Sequence, residues 1–207
     1  MSIIIAGIHT GIGKTICSAV ICQGLGYDYW KPVQAGDLET SDSVFIKQHV
    51  TNINCTIHPE AYRLTAPVSP HDAAERDGLL IRPDHFKLPV TDNQLLVETA
   101  GGIMTPLAPG YLNIDLIEQL ALPVILVAGT YLGSINHTLL SIAALQQRNI
   151  LVNGIVFSGE MNAAGKNFIL KHTGITNLFN IPHLPIVNRD IIHTATQVIQ
   201  IKTTADD

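Results

Sequence analysis

The sequence is poor in charged residues and has no long apolar run. Charged residues make up 14% of its 207 positions, against about 25% in an average soluble domain. Its longest apolar stretch, residues 120–129, is far shorter than the ~20 residues that a membrane-spanning helix needs, and Pro123 interrupts it. The hydrophobic content of 46% is too high for a disordered chain. We therefore expect a folded protein that has no membrane partner.

Basic residues and cysteines are also scarce. Twelve Lys and Arg against seventeen Asp and Glu give a net charge of −5 without a basic stripe, so no nucleic-acid partner is expected. The first basic residue, Lys14, follows the first apolar stretch, which predicts no signal peptide and a cytoplasmic protein. Cys17, Cys22 and Cys55 are odd in number and lack CxxC spacing, which predicts free buried thiols without disulfides or a zinc site.

Short β-branched apolar runs alternate with amphipathic segments along the chain. The runs predict strands over residues 2–6, 27–33, 93–99, 123–129, 151–157 and 178–181. The amphipathic segments predict helices over residues 13–25, 41–50, 114–120, 135–148, 165–172 and 188–201. Ser41 is placed as the N-cap of the second helix. Residues 51–89 have a weaker pattern, which predicts loops with one or two short helices, one of them over residues 69–76.

The predicted strands are near-continuous apolar runs, which is typical of strands buried on both faces. Their alternation with helices predicts an α/β fold whose sheet is mostly parallel, has about seven strands and carries helices on both faces. The chain has no internal repeat, and its length suits one domain over residues 1–207. In such folds ligands bind beyond the carboxyl ends of the strands.

The first strand leads directly into a glycine-rich loop with the sequence Gly7-Ile8-His9-Thr10-Gly11-Ile12-Gly13-Lys14-Thr15. A strand, such a loop and a following helix make a P-loop, here with five rather than four residues between its outer glycines. Loop and helix N–H groups hold phosphate oxygens, Lys14 adds a cation, and the Thr15 hydroxyl suits Mg²⁺. The sequence therefore predicts a nucleotide site that contains Gly11, Ile12, Gly13, Lys14, Thr15 and Ile16.

Four further segments accompany the P-loop. They are Lys31-Pro32-Val33-Gln34-Ala35-Gly36, Ser41-Asp42, Val97-Glu98-Thr99-Ala100-Gly101-Gly102 with Pro106-Leu107, and Leu132-Gly133-Ser134-Ile135-Asn136-His137. In combination they resemble the dethiobiotin synthases, and the resemblance extends to about residue 182. It implies an ATP- and Mg²⁺-dependent enzyme of biotin biosynthesis that works as a homodimer. Its substrates would be ATP, 7,8-diaminononanoate and CO₂ or bicarbonate.

The resemblance also implies a reaction in three steps. One amine captures CO₂ as a carbamate, the carbamate oxygen attacks the γ-phosphate, and the second amine closes the ring on the mixed anhydride. Phosphoryl transfer needs positioning and positive charge. Lys31 ends the second strand, at the rim where ligands bind, so it is assigned a catalytic role, which the resemblance extends to Lys14 and Thr10. Asp42 and Glu98 are the carboxylates expected to bind Mg²⁺ with Thr15, beside the nucleotide.

The family assigns the remaining site residues by position. The resemblance implies substrate contacts at Lys31, Ala35, Gly101, Gly102, Ser134, Ile135 and Asn136. The last three open a helix whose N–H groups take the substrate carboxylate across the homodimer interface. The nucleotide base is expected near Ser158, Pro182, His183 and Leu184. Departures from the common family pattern are His9 and Gly11 in place of acids, Ala35 in place of Ser or Thr, and Ser158 in place of Asn.

Two other functions share this type of P-loop. The first is a nucleotide-switch ATPase of the partition or septum-positioning kind, which usually carries a second lysine early in the loop; residues 8–12 contain none. The second is a non-catalytic nucleotide-binding regulator, which would lack Lys31 or Glu98. Phosphate released only when the diamine and bicarbonate are both supplied would distinguish the ligase from these two.

Overall fold

The computed structural model describes residues 1–160, 162–184 and 187–198, which contain eleven strands and seven helices. The strands are β1 (Ile3–Gly7), β2 (Asp28–Trp30), β3 (Val33–Ala35), β4 (Ile57–His58), β5 (Tyr62–Leu64), β6 (Leu95–Glu98), β7 (Pro106–Ala108), β8 (Tyr111–Leu112), β9 (Val124–Ala128), β10 (Val152–Ser158) and β11 (Asn177–Ile181). The helices are α1 (Lys14–Leu25), α2 (Asp42–His49), α3 (Pro70–Arg76), α4 (Asn113–Leu120), α5 (Ser134–Gln147), α6 (Ala163–Thr173) and α7 (Arg189–Ala195). Within these ranges, no helix has the length and apolarity required to cross a membrane.

Seven of the strands form one parallel sheet in the order β11-β10-β9-β1-β6-β2-β4. The central strand β1 lies between β6 and β9, with Ile4 paired to Val97 on one side and to Val124 on the other. Every residue of β1, β6 and β9 is buried. The predicted parallel sheet of about seven strands is therefore confirmed, and so is its burial on both faces.

The crossover helices cover both faces of this sheet. The connections through α1 and α2 run toward the β4 edge, whereas those through α5 and α6 run toward the β11 edge. Because such crossovers are right-handed, the two pairs of helices lie on opposite faces. The packing agrees, since α1 contacts α2 and α7 while α5 contacts α6.

The predicted strand over residues 27–33 is wrong as a single element. The chain leaves the main sheet after Trp30, and β3 pairs instead with β5 in a separate two-stranded sheet. Pro32 has no N–H group for the ladder and its ring fixes φ, so a central strand cannot continue through it. The break leaves Lys31 at the carboxyl edge of the main sheet.

Most of the other predicted elements are confirmed within a few residues of their bounds. Ser41 caps α2 as predicted, because its Oγ accepts a hydrogen bond of 3.3 Å from the N–H of Val44. The short helix predicted over residues 69–76 is α3, but β4 and β5 were not predicted. The helix predicted over residues 188–201 is α7 in its described part, and residues 199–201 lie outside the described residues. All three cysteines are free; Cys55 is only half-buried.

Asp28 stabilises the end of the sheet opposite the P-loop. Its carboxylate accepts hydrogen bonds from the Thr56 N–H, Asn93 Nδ2 and Thr91 Oγ1 and lies 3.1 Å from His58 Nε2. Burial opposes ionisation, but these hydrogen bonds outweigh it and lower the pKa of Asp28. Its contribution to stability is therefore present above the unfolded-chain pKa of about 3.9 and is lost as the pH falls through the lower folded pKa.

We expect Asp28→Asn to lower the free energy of unfolding at pH 7 by about 1–3 kcal/mol, because buried donors lose a charged acceptor. The measurement is urea unfolding of the parent and the variant at pH 7 and at pH 3.5. The variant should lose less stability than the parent between these two values. An equal loss in both proteins would contradict the assignment.

Candidate active site

The P-loop connects β1 to α1 and packs against the end of β10. Gly13 precedes α1 with φ of 91°, a left-handed conformation that glycine adopts without strain. A Cβ atom at this position would meet Ser158 Oγ at 2.4 Å. The close approach of loop and strand therefore requires glycine here, and it places two of the predicted nucleotide residues side by side.

Three oxygen-bearing side chains converge beside the P-loop from α1, α2 and β6. Thr15 Oγ1 lies 2.8 Å from Asp42 Oδ1 and 2.9 Å from Glu98 Oε1. Glu98 is 1% exposed. The structure thus brings together the three residues that the sequence predicts as a magnesium site, and hard oxygen donors are the ligands that Mg²⁺ prefers.

The ammonium of Lys31 lies between the two carboxylates. Its Nζ donates a hydrogen bond to Asp42 Oδ2 and lies 3.6 Å from Glu98 Oε1. Burial disfavours the charged form of Lys31, but the attraction of Glu98 and Asp42 outweighs it and raises the pKa of Lys31. Burial also opposes ionisation of Asp42, yet the Lys31 charge and hydrogen bond hold the pKa of Asp42 below its usual value. The carboxylates thus create a position at which a cation is stable.

Lys14 is the second buried cation of the site. Its Nζ donates a 3.2 Å hydrogen bond to the carbonyl oxygen of His9, and the residue is 6% exposed. Burial lowers the pKa of Lys14 to about 8, against the opposing attraction of Glu98. An anion bound beside Lys14 would favour its charged form.

Ser18 and Tyr29 belong to the site but were not predicted from the sequence. Ser18 Oγ donates a 2.6 Å hydrogen bond to Glu98 Oε2, and Tyr29 OH donates one of 3.1 Å to the same oxygen. Both residues are fully buried. Ser18 lies one helical turn after Lys14 and therefore on the same face of α1. A polar residue on this apolar face was the sequence feature that could have predicted it as a site residue. These donors fix the orientation of Glu98.

Three cavities open around the loop. The central cavity, of about 800 Å³, is lined among others by the predicted residues Thr10, Gly11, Gly13, Lys14, Thr15, Ile16, Lys31, Ala35, Asp42, Glu98 and Gly101. The β10 cavity, of about 330 Å³, is lined by the predicted residues Gly11, Ile12, Gly13, Ile16, Ser158, Pro182, His183 and Leu184, together with Gly129, Thr130, Tyr131, Gly159 and Ile181. The apolar cavity, of about 450 Å³, is lined by Thr10 and Gly102 with Ile8, His9, Ile103, Met104, Thr105, Pro106, His137, Leu140 and Ser141.

The predicted residues at the start of α5 lie apart from these cavities. α5 begins at Ser134, as expected, with Gly133 before it in a left-handed conformation. Ser134 is buried, whereas Ile135 and Asn136 are exposed. None of the three lines the central, β10 or apolar cavity.

Comparison with known proteins identifies the family. A family model described as an AAA domain matches residues 1–190. The chain is 45% identical over 189 residues to the ATP-dependent dethiobiotin synthetase BioD of Cytophaga hutchinsonii, with 91% of each chain covered. It is 50% identical over 159 residues to that of Christiangramia forsetii, with 77% of this chain and 76% of the relative covered. The chain belongs to the ATP-dependent dethiobiotin synthetase family. The resemblance noted in the sequence is thereby confirmed, and so is the prediction that the protein is an enzyme of the ligase class.

Solved structures with the same fold come from other families. A ParA family ATPase from Chlorobium tepidum superposes with a TM-score of 0.56 at 10% identity, covering 99% of this chain and 94% of that one. A chain of the MinC:MinD cell division complex of Aquifex aeolicus gives 0.52 at 14% identity, covering 94% and 85%. These likenesses show the P-loop α/β fold alone. The nucleotide-switch alternative is not favoured, because the sequence identity to the dethiobiotin synthetases is far higher than that to these two structures.

Proposed function

We propose that this protein uses ATP to convert 7,8-diaminononanoate and CO₂ into dethiobiotin, ADP and phosphate, as a step of biotin biosynthesis. The observation that carries the proposal is the buried Lys31 ammonium held between Asp42 and Glu98 beside a P-loop. Membership of the dethiobiotin synthetase family supports the choice of substrates.

We propose that the nucleotide extends from the central cavity into the β10 cavity. The two cavities share Gly11, Gly13 and Ile16 in their walls. Phosphates in the central cavity would meet the N–H groups at the start of α1 and the ammonium of Lys14. The base would then lie against Ser158 and residues 182–184.

Thr15, Asp42 and Glu98 are the residues proposed to hold Mg²⁺. The carboxylates of Asp42 and Glu98 already flank a cation, the Lys31 ammonium, and the Thr15 hydroxyl contacts both carboxylates, so this set of hard oxygen donors fits the metal. When bound, Mg²⁺ neutralises phosphate charge and orients the triphosphate. Ser18 and Tyr29 keep Glu98 in place for this task.

Lys31 is proposed as the catalytic cation for the transfer itself. One substrate amine attacks CO₂ and loses a proton, which gives a carbamate anion; its oxygen then attacks the γ-phosphorus and ADP leaves. Two anions must approach each other in a buried site, where their repulsion is large unless a cation is close to both. Lys31 and Lys14, which line the central cavity together with Thr10, supply that charge. The second amine next attacks the carbonyl carbon of the anhydride and expels phosphate.

The apolar cavity is proposed to take the methylene chain of the diamine. It adjoins the central cavity at Thr10, Thr105 and Pro106. The carboxylate would bind the N–H groups of Ser134, Ile135 and Asn136 from a second copy, because these residues line none of the three cavities described above. This arrangement requires a homodimer, in which Gly101, Gly102 and Ala35 approach the substrate.

A homodimer predicts a mass of about twice 22.4 kDa in light scattering. Leu132 is fully exposed two residues before α5, so Leu132→Asp should weaken the dimer and the activity together. Leu80, which is 67% exposed after α3, provides the matched control Leu80→Asp, which should change neither. A monomer with the full catalytic rate would defeat the proposed assembly.

We also propose that residues 1–207 form one domain in the cytoplasm. The buried apolar residues of the described ranges form one core. The three free thiols suit a reducing compartment.

The proposed activity is tested with purified protein, Mg²⁺, ATP, bicarbonate and 7,8-diaminononanoate. We expect dethiobiotin by mass spectrometry, with one phosphate released per product molecule. Omission of either the diamine or the bicarbonate should abolish phosphate release. Equal phosphate release without the diamine would favour the nucleotide-switch ATPase instead.

A further inference from the structure

Tyr131 stands between two of the cavities around the P-loop. The residue itself lines the β10 cavity, next to Gly129 and Thr130. Two of its neighbours, His9 and His137, line the apolar cavity. Tyr131 is 37% exposed and lies in the segment that connects β9 to α5.

The contacts of Tyr131 reach two different elements. Its hydroxyl lies 2.7 Å from Nδ1 of His137, in the first turn of α5. Its ring meets the ring of His9, in the P-loop, edge to face with the centroids 5.9 Å apart. One side chain therefore packs against one imidazole and hydrogen-bonds the other.

We propose that Tyr131 is a positioning residue with two separable functions. The ring forms a wall of the cavity that takes the nucleotide. The hydroxyl fixes the His137 imidazole at the wall of the cavity that takes the diamine chain. Hydroxyl donation to Nδ1 places the remaining ring proton on Nε2, so that His137 presents an N–H donor. This assignment of the two ligands rests on the proposed function.

The two functions can be separated by mutation, because Tyr131→Phe removes the hydroxyl and keeps the ring. In this variant the Kd for 7,8-diaminononanoate should rise about two- to tenfold, the effect of one hydrogen bond. The Kd for a non-hydrolysable ATP analogue should remain within twofold of the parent value. Tyr131→Ala removes the ring as well and should raise both constants. Calorimetry on the purified homodimer measures both, whether or not turnover occurs.

Tyr111 offers a matched control. Its hydroxyl donates a hydrogen bond of 2.6 Å to Gln119 Oε1, and it lines none of the three cavities. Tyr111→Phe loses a comparable hydrogen bond and should leave both dissociation constants unchanged.

A double-mutant cycle tests whether the hydroxyl acts through His137. If it does, Tyr131→Phe combined with His137→Gln binds the diamine as weakly as His137→Gln alone. Additive losses, an unchanged diamine Kd in Tyr131→Phe, or an equal rise of both constants in that variant would each overturn the proposal. The proposed function fails on a different result, namely a parent protein that binds both ligands but forms no dethiobiotin.

Discussion

Lys31→Gln is expected to lower kcat by about 10²–10³-fold at saturating substrates, the usual effect of removing one electrostatic stabiliser from an active site. The ammonium is buried and is held by Asp42 and Glu98, at the position where we propose that the two reacting anions meet. ATP binding should change little, because Lys14 and the loop N–H groups remain. The measurement is the rate of dethiobiotin formation, with ATP binding followed separately by calorimetry.

The same substitution should have a second effect on stability. It leaves the buried Glu98 and the partly exposed Asp42 carboxylate without their cation, and removing one partner of a buried pair costs about 3–5 kcal/mol. Mg²⁺ with nucleotide should restore much of this loss, since a divalent cation takes the place of the ammonium. The thermal midpoint measured with and without Mg²⁺ and nucleotide therefore separates the structural effect from the catalytic one.

Two further variants control the Lys31 experiment. Lys31→Arg should recover activity only in part, because a planar guanidinium cannot replace a compact ammonium. Lys47, exposed on α2 close to Asp42 in the sequence, gives the control Lys47→Gln, which should keep the parent rate. A Lys31→Gln protein that turns over within a few-fold of the parent would remove Lys31 from the catalytic set.

Glu98→Gln is expected to raise the Mg²⁺ concentration needed for half-maximal activity by about 10–100-fold, and to lower kcat as well. The substitution removes a charge and replaces an acceptor by an amide NH₂ group. Ser18, Tyr29 and Thr15 all lie within hydrogen-bond distance of the Glu98 carboxylate, so an amide cannot satisfy all of them. A Mg²⁺ titration of the initial rate measures the shift.

Glu118 supplies the comparison for this variant. It is a partly exposed carboxylate on α4 that pairs with Arg148, which follows α5. Glu118→Gln should leave the Mg²⁺ titration unchanged. The metal assignment would be wrong if Glu98→Gln showed the same titration curve as the parent.

The sequence predicted the part of the fold that the hydrophobic pattern encodes. The central strands are continuous apolar runs, and such runs are typical of a parallel sheet that helices cover on both faces. β4 has two residues and β5 has three, too few for any periodicity, so the β4 edge of the main sheet and the separate β3–β5 sheet were missed. Pro32 did carry a signal, because a proline is not found inside a central strand, and the prediction of one strand over residues 27–33 overlooked it.

The residues of the candidate site also fall into two groups, those that local sequence patterns predict and those that depend on tertiary packing. Lys14, Thr15 and Glu98 lie in sequence patterns whose spacing fixes their place at strand and helix ends. The contribution of Tyr29 depends on the register between β2 and β6, where it pairs with Leu96, two residues before Glu98. Register of this kind follows from tertiary packing and is absent from the local pattern. The proposed role of the residues at the start of α5 is harder still to predict from a local pattern, because it needs a second copy of the chain.

Two thiols are buried on α1, so their chemical modification can report on the opening of this helix. Cys17 and Cys22 have no exposed surface, and burial raises the pKa of both thiols. An alkylating reagent can reach them only when the packing around α1, which carries Lys14 and Thr15 in its first turn, opens. The rate at which these two thiols are modified therefore measures how often α1 opens. A ligand that binds only the closed state, present at 100 times its Kd, should slow that modification about 100-fold, while the half-buried Cys55 serves as the internal reference.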